Sequence, residues 1–350
     1  MIGVSVKMFM LPALMLRMVG KTALWVMIAF IMLEFIAVTV VALLMRKNPS
    51  KTIFTLVNET FGKVIAKVIF LFFALFLTAK CVLIISEIKM FFTVTMYEEI
   101  IWPMMIIPLL ALIFAMARKR LRAIGRTAEI LTPIVLVCTV ILFTLLIEEG
   151  DLIRLLPVFG EGKSLFKGLT AFPMWFGDGF LALLFVGRTK NSEKAIKATL
   201  ISYAVSSALV IAFTVMLCST YANISTLIDY GNNVSNMTQF SLSSQDYGRF
   251  DLLFFCMWMF SVLITLALSF IFLNQSLTAV VGKRRKTAVN IISVLALYVL
   301  ASFFLENGNI VFIVMTGIVK YILCPLPAIV PIVALIKSVV RKKNEEKESS

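Results

Sequence analysis

Apolar residues run along this chain in long blocks, and most polar residues are confined to the connections between them. The blocks follow neither the alternation of a half-buried strand nor the spacing of an amphipathic helix. An α-helix needs about 20 apolar residues to cross a hydrocarbon core, whereas barrel strands give shorter alternating segments. The pattern therefore predicts an all-α polytopic membrane protein with about ten transmembrane helices, at roughly 1–16, 22–45, 64–95, 102–117, 128–148, 164–187, 198–219, 252–273, 287–305 and 309–336. The third block is too long for a straight crossing and calls for a tilt or an end lying along the interface. Residues 1–336 read as one transmembrane domain of two five-span halves, 1–148 and 164–336, followed by a basic tail, 337–350, whose final RKKNEEKESS is expected to be disordered.

Composition agrees with the pattern. Apolar residues make up 61% of the chain and charged residues 15%, with a mean hydropathy of +1.00, more apolar surface than a soluble domain could cover. The net charge of +14 is explained by orientation rather than by nucleic acid. One set of connections, with Arg46, Lys47 and Lys51, 118–126, 188–197, 283–286 and the tail, holds 21 Lys and Arg; the opposite set holds 5. The excess of basic residues marks the cytoplasmic side, so both termini are expected there, with anionic lipid headgroups as the neighbours of the basic loops. The 220–249 connection lies on the other side and carries N-x-[ST] sequons at Asn223, Asn233 and Asn236, as chance allows in an Asn/Ser-rich loop. There is no histidine, which excludes histidine triads and histidine metal sites, and the five cysteines read as small hydrophobes in or beside apolar blocks. No phosphate loop, metal cluster or nucleophile–base pair is visible, so neither an enzyme nor a cofactor is expected.

Glycine or charge inside a span needs a reason, because every backbone polar group in lipid needs a partner. The sixth span, LTAFPMWFGDGFLALLFVG, carries Pro173 and the triplet Gly177, Asp178 and Gly179 in its middle. Two glycines around a carboxylate disfavour continuous helix, and a charge at that depth costs several kcal/mol unless paired or hydrated. A discontinuous helix that makes a binding site is one reading; close glycine packing around a salt-bridged Asp178 is the other. In the first span, Gly3, Val4 and Ser5 form a second candidate break, followed by Lys7. Five spans per half would invert the second half on the first, so spans 1 and 6 occupy corresponding positions, as in transporter-type sites. Glu34, Lys80 and Lys320 are further intramembrane charges. Lys80, mid-block, either faces a wet cavity or pairs with Glu34 or Asp178, and could stand in for a coupling cation. Ser261, Thr265 and Ser269 form a stripe on span 8 that suits helix–helix contact or a ligand.

Several segments together resemble the spore germination receptor B-subunits. KNPSKTIFTLVNETFGKVIAKVI at 47–69 resembles that family's segment after span 2, and RLRAIGRTAEILTPIVL at 120–136 its approach to span 5. MIGVSVKMFMLP resembles its first span, where a Gly-Val-Gly-like break precedes Leu-Pro, and GFLALLFV at 179–186 its span 6. The match in order and spacing covers roughly residues 1–190. The resemblance implies a ten-span LeuT-like 5+5 inverted repeat of the amino acid–polyamine–organocation superfamily, with helices 1 and 6 discontinuous. It implies a nutrient germinant, commonly an amino acid, bound within the membrane, and A- and C-type partner subunits in the inner spore membrane. Carried onto this chain, Gly3, Val4 and Ser5 are the first break and Gly179 with its neighbours the second. Leu181 stands where the family often has Glu, and the acid here is Asp178. On this reading the ligand carboxylate sits on half-helix amides and its ammonium near Asp178, between spans 1, 3, 6 and 8. The competing readings are an amino acid permease coupled to protons or cations, and a structural subunit without a ligand. In a LeuT-like chain a half-helix precedes the first break, so the first half of helix 1 is apparently missing and upstream translation is expected to supply ten to twenty more apolar residues.

Overall fold

The computed structural model describes residues 5, 7–8, 10–95, 102–119, 121–149, 153, 162–189, 192–220, 251–306, 313–317 and 319–348. Among them are helices and no strand. In chain order they are α1 (Met10–Val19), α2 (Ala23–Lys47), α3 (Ile53–Phe61), α4 (Lys63–Thr95), α5 (Trp102–Arg118) and α6 (Leu121–Glu149). Then come α7 (Gly162–Ala171), a 3-10 segment (Asp178–Phe185), α8 (Ser192–Thr220), α9 (Asp251–Val281), α10 (Lys286–Glu306), α11 (Val319–Leu323) and α12 (Pro325–Glu348). Seven of the described helices are long and apolar enough to cross a membrane; the apolar stretch Pro103–Arg118 is shorter. Together they make the chain an integral, all-α polytopic membrane protein.

The helices at 63–95, 102–118, 192–220, 251–281 and 286–306 fall where the hydrophobic blocks predict them. The sixth block behaves differently, ending its α-helix at Ala171 and resuming as a 3-10 turn at Asp178. The tail also departs from expectation: α12 continues helical to Glu348. Nothing after Pro331 breaks a helix, and lysine, arginine and glutamate are good helix formers.

Most of the core lies where α4 packs along α9 and α2 along α8, with the 3-10 segment held between α2 and α9. Apolar side chains on the outside recur at helical spacing. Val64, Val68, Leu71 and Leu75 lie on one face of α4, and Ile292, Leu295, Val299 and Phe303 on one face of α10. Stripes of that length are too apolar for water and form the lipid-facing surface. Cys81 is buried as a small hydrophobe would be, whereas Cys256 is exposed.

The short helix α3 turns the chain between α2 and α4. Thr52 caps it, accepting a hydrogen bond from the Thr55 N–H, and Gly62 ends it with φ +80°. Gly187 closes against this corner: its φ is +70°, and a Cβ there would lie 2.4 Å from the Lys51 carbonyl carbon. Arg188 donates to Gln275 Oε1 at 2.6 Å, and Lys337 donates to the Thr60 carbonyl. The corner at Lys51, the 187–189 turn, Gln275 near the end of α9 and Lys337 of α12 thus mark one pole, which carries the basic residues Lys51, Arg188 and Lys337.

Candidate functional site

The sixth block breaks for local reasons. Pro173 lacks an N–H and disfavours helix at Phe172. Gly177 then adopts φ +120°, open to glycine at little cost. Residues 172–177 leave the helix, and chain direction is regained by i→i+3 bonds such as Phe180 N–H to Gly177 carbonyl at 3.0 Å. Eight residues of 3-10 geometry is a long run, and aromatic packing holds it. The Phe180 ring stacks on Phe272 at 4.9 Å and meets Phe73 edge-on at 4.7 Å.

A break within an apolar core exposes both kinds of backbone group, and each is satisfied by a charged side chain from another helix. On the donor side, Glu34 Oε1 of α2 accepts the Gly177 N–H at 2.8 Å and the Gly179 N–H at 3.0 Å. These are the first amides of the 3-10 segment, where aligned N–H groups favour an anion. On the acceptor side, Lys80 Nζ of α4 donates to the Trp175 carbonyl at 3.1 Å and the Met174 carbonyl at 3.4 Å. Two charges thus replace the hydrogen bonds that the missing helical turn would have made.

The charges are themselves joined. Lys80 lies 2.9 Å from Asp178 Oδ1. Lys7 pairs with Glu34 Oε2 and lies 3.2 Å from Asp178 Oδ2. The order Glu34, Lys7, Asp178, Lys80 is an alternating row with no net charge, and all four side chains are buried. Asp178 makes ionic contacts with both lysines, although neither of its oxygens meets hydrogen-bond geometry. Such a row offsets the cost of burying each member, and removal of one leaves its neighbour uncompensated. Tyr203 of α8 adds a hydroxyl that donates to Glu34 Oε2 at 2.8 Å. The Lys7 ammonium also lies 5.3 Å from the Phe176 ring centre and 5.8 Å from that of Tyr203. Glu87 is buried close by; its Oε1 accepts the Trp175 indole N–H at 3.2 Å, and its Oε2 has no hydrogen-bond partner among the described residues.

Among the residues singled out by sequence, Gly177, Asp178, Gly179, Lys80 and Glu34 come together at this break. Ser5, two positions before Lys7, is fully buried, its carbonyl accepting the Trp258 indole N–H of α9 at 2.6 Å. Gly3 and Val4 lie outside the described residues, as do the sequons of the 220–249 connection. Ser261 and Thr265 are buried on α9, but their hydroxyls bond back to Met257 and Ser261 carbonyls of their own helix. Lys320 bonds the Thr316 carbonyl and sits against the Tyr321 ring, apart from the row. Lys7, Tyr203 and Glu87 join the site without having been predicted as part of it.

A cavity of about 650 Å³ runs from the break toward the basic pole. Asp178, Gly179 and Tyr203 lie on its wall near the break, and Met45, Gly125 and Thr189 toward the pole. The space exists because α6 and α8 meet it with small residues: Gly125 and Ala128 on one, and Ala195, Ala198, Thr199 and Ser202 on the other. Among the described residues no cluster of His, Cys, Asp or Glu could hold a metal ion.

The buried charge row at the broken helix thus borders a largely apolar cavity within an all-α membrane domain. A comparison with curated proteins gave no match. A family model described as "Spore germination protein" matches residues 1–311, and the chain accordingly belongs to the spore germination protein family.

Proposed function

We propose that the chain is the B-type, membrane-embedded subunit of a nutrient germinant receptor. It binds a small polar ligand of amino-acid size at the break and in the cavity below it, and signals to A- and C-type partner subunits in the inner spore membrane. The same reading gives ten spans in two inverted five-span halves, with spans 1 and 6 as the discontinuous pair and the basic pole cytoplasmic. No catalytic role is proposed.

One observation carries this reading: the unwound backbone at 172–177 and the start of the 3-10 segment are held by Glu34, Lys80 and, through Asp178, Lys7, all from other parts of the chain. The residues that stabilise the break thus connect α2, α4 and the N-terminal segment. A ligand touching Asp178 or Gly179 from the cavity would change the balance among them, and so bias the packing of those elements.

An amino acid permease is the second reading, favoured by a cavity that leads from the break toward one pole, as alternating access requires. Two measurements separate them. Spores carrying the wild-type chain together with A- and C-type subunits should germinate in response to a nutrient, and spores lacking only this chain should not. Protein reconstituted alone in liposomes should show no sustained uptake of that nutrient; robust uptake would favour the permease and overturn the receptor reading.

A further inference from the structure

The amides that open a half-helix are where a free ligand would be expected to place a carboxylate. Here that place is filled from within. Glu34 Oε1 takes both the Gly177 and Gly179 N–H groups, and its Oε2 is taken by Lys7 and by the Tyr203 hydroxyl. Its side chain is about as buried as a core leucine, at 3% exposure. Gly179 makes the approach possible: a Cβ there would lie 3.4 Å from Glu34 Cγ and 2.6 Å from Val38 Cγ2. The ammonium position is filled as well, by Lys7 between the Phe176 and Tyr203 rings and in contact with Asp178. Lys7 and Glu34 together supply the two charges that a zwitterionic amino acid would otherwise bring.

The cavity below has the complementary chemistry. Its lining is largely apolar but offers the hydroxyls of Thr132, Thr199, Ser202 and Ser206 and the carboxylate of Glu129, and among the described residues it includes no Lys or Arg. Among the described lining residues, a ligand carboxylate would meet Asp178 and Glu129 rather than a cation. A hydroxyl or amide group would find acceptors, since the Thr132 and Thr199 hydroxyls donate to their own helix and keep lone pairs free. The volume of about 650 Å³ suits a small organic molecule.

We propose that Glu34 is a built-in carboxylate that closes the anion seat of the break, so that this chain takes a small uncharged ligand rich in hydroxyl or amide groups rather than a free α-amino acid. The proposal rests on the reading of the break and its cavity as the ligand site, and refines which ligand that site accepts.

The test is thermal unfolding of the purified full chain in lipid nanodiscs, with glucose and uridine as uncharged probes, L-alanine and L-leucine as zwitterions, and acetate as a bare carboxylate. For the wild type, at least one uncharged probe should raise the unfolding temperature, and neither the zwitterions nor acetate should. Glu34→Ala should unfold at lower temperature and regain most of the loss in acetate, while Glu34→Gln, which keeps the seat filled, should not respond to acetate. Stabilisation of the wild type by L-alanine but not by L-alaninamide would overturn the proposal and leave the site reading standing; this arm decides even if Glu34→Ala does not fold. Failure of acetate to restore a folded Glu34→Ala would also overturn it. Acetate rescue with no probe acting on the wild type would overturn the ligand assignment together with the site reading beneath it.

Discussion

Lys80 Nζ and Asp178 Oδ1 lie 2.9 Å apart, both side chains buried, although the two residues belong to different helical blocks. This pair fixes the broken sixth span to α4, because the same ammonium also binds the carbonyls of Met174 and Trp175. Breaking a buried pair by removing one partner typically costs about 3–5 kcal/mol. Lys80→Met and Asp178→Asn are each expected to lose an amount of that order in unfolding measurements on detergent-solubilised protein. The double variant should lose clearly less than the sum, the signature of direct coupling.

Gly179 is expected to tolerate no side chain. Its Cβ would meet Val38 Cγ2 at 2.6 Å, and overpacking of this kind costs about 1–3 kcal/mol. Gly179→Ala should therefore lower the unfolding temperature, and Val38→Ala in the same chain should recover part of the loss. No recovery would place the strain on the backbone rather than on Val38.

One link between α9 and the N-terminal segment is the Trp258 indole N–H, which donates to the Ser5 carbonyl at 2.6 Å. Trp258→Phe removes the donor and keeps most of the ring that stacks on Phe91 at 5.4 Å. A typical hydrogen bond contributes about 0.5–1.5 kcal/mol, so the variant should lower the unfolding temperature by a correspondingly modest amount.

The Lys51–Glu59 pair provides a contrast. Its ends are 2.6 Å apart, but both side chains are more than a third exposed, at 39% and 38%. Pairs in water contribute about 0–1 kcal/mol. Glu59→Gln is expected to leave unfolding nearly unchanged, in sharp distinction from Asp178→Asn.

The sequence made the break itself legible. Pro173 and the Gly-Asp-Gly triplet are each unfavourable in an apolar helix, and their coincidence pointed to residues 172–179. Lys80 was legible for the same reason, as a charge too deep in its block to reach water. The wiring was not. Glu34 binds amides more than 140 positions away, a contact that only the packing of α2 on the 3-10 segment creates. Lys7 reads as an ordinary flanking charge until the fold brings it to Glu34. Glu87 stands two residues from Lys89 near the end of α4, where charge usually marks an interface. Tyr203 carries no signal, since a tyrosine in a span is unremarkable until its hydroxyl finds a carboxylate. Ser261, Thr265 and Ser269 form a stripe visible in sequence, and its hydroxyls donate to carbonyls of their own helix.

The central claim is that a ligand reaches the break through the cavity between α6 and α8. Filling that space without touching the charge row tests it most directly. Ala198→Leu and Ser202→Leu put side chains into the cavity from α8 while leaving Glu34, Lys7, Asp178 and Lys80 intact. The measurement is equilibrium binding of the activating nutrient to the purified chain, wild type against each variant. The account predicts an unchanged unfolding temperature and an affinity loss of at least about tenfold, or about 1.4 kcal/mol. Undiminished binding in both folded variants would contradict it.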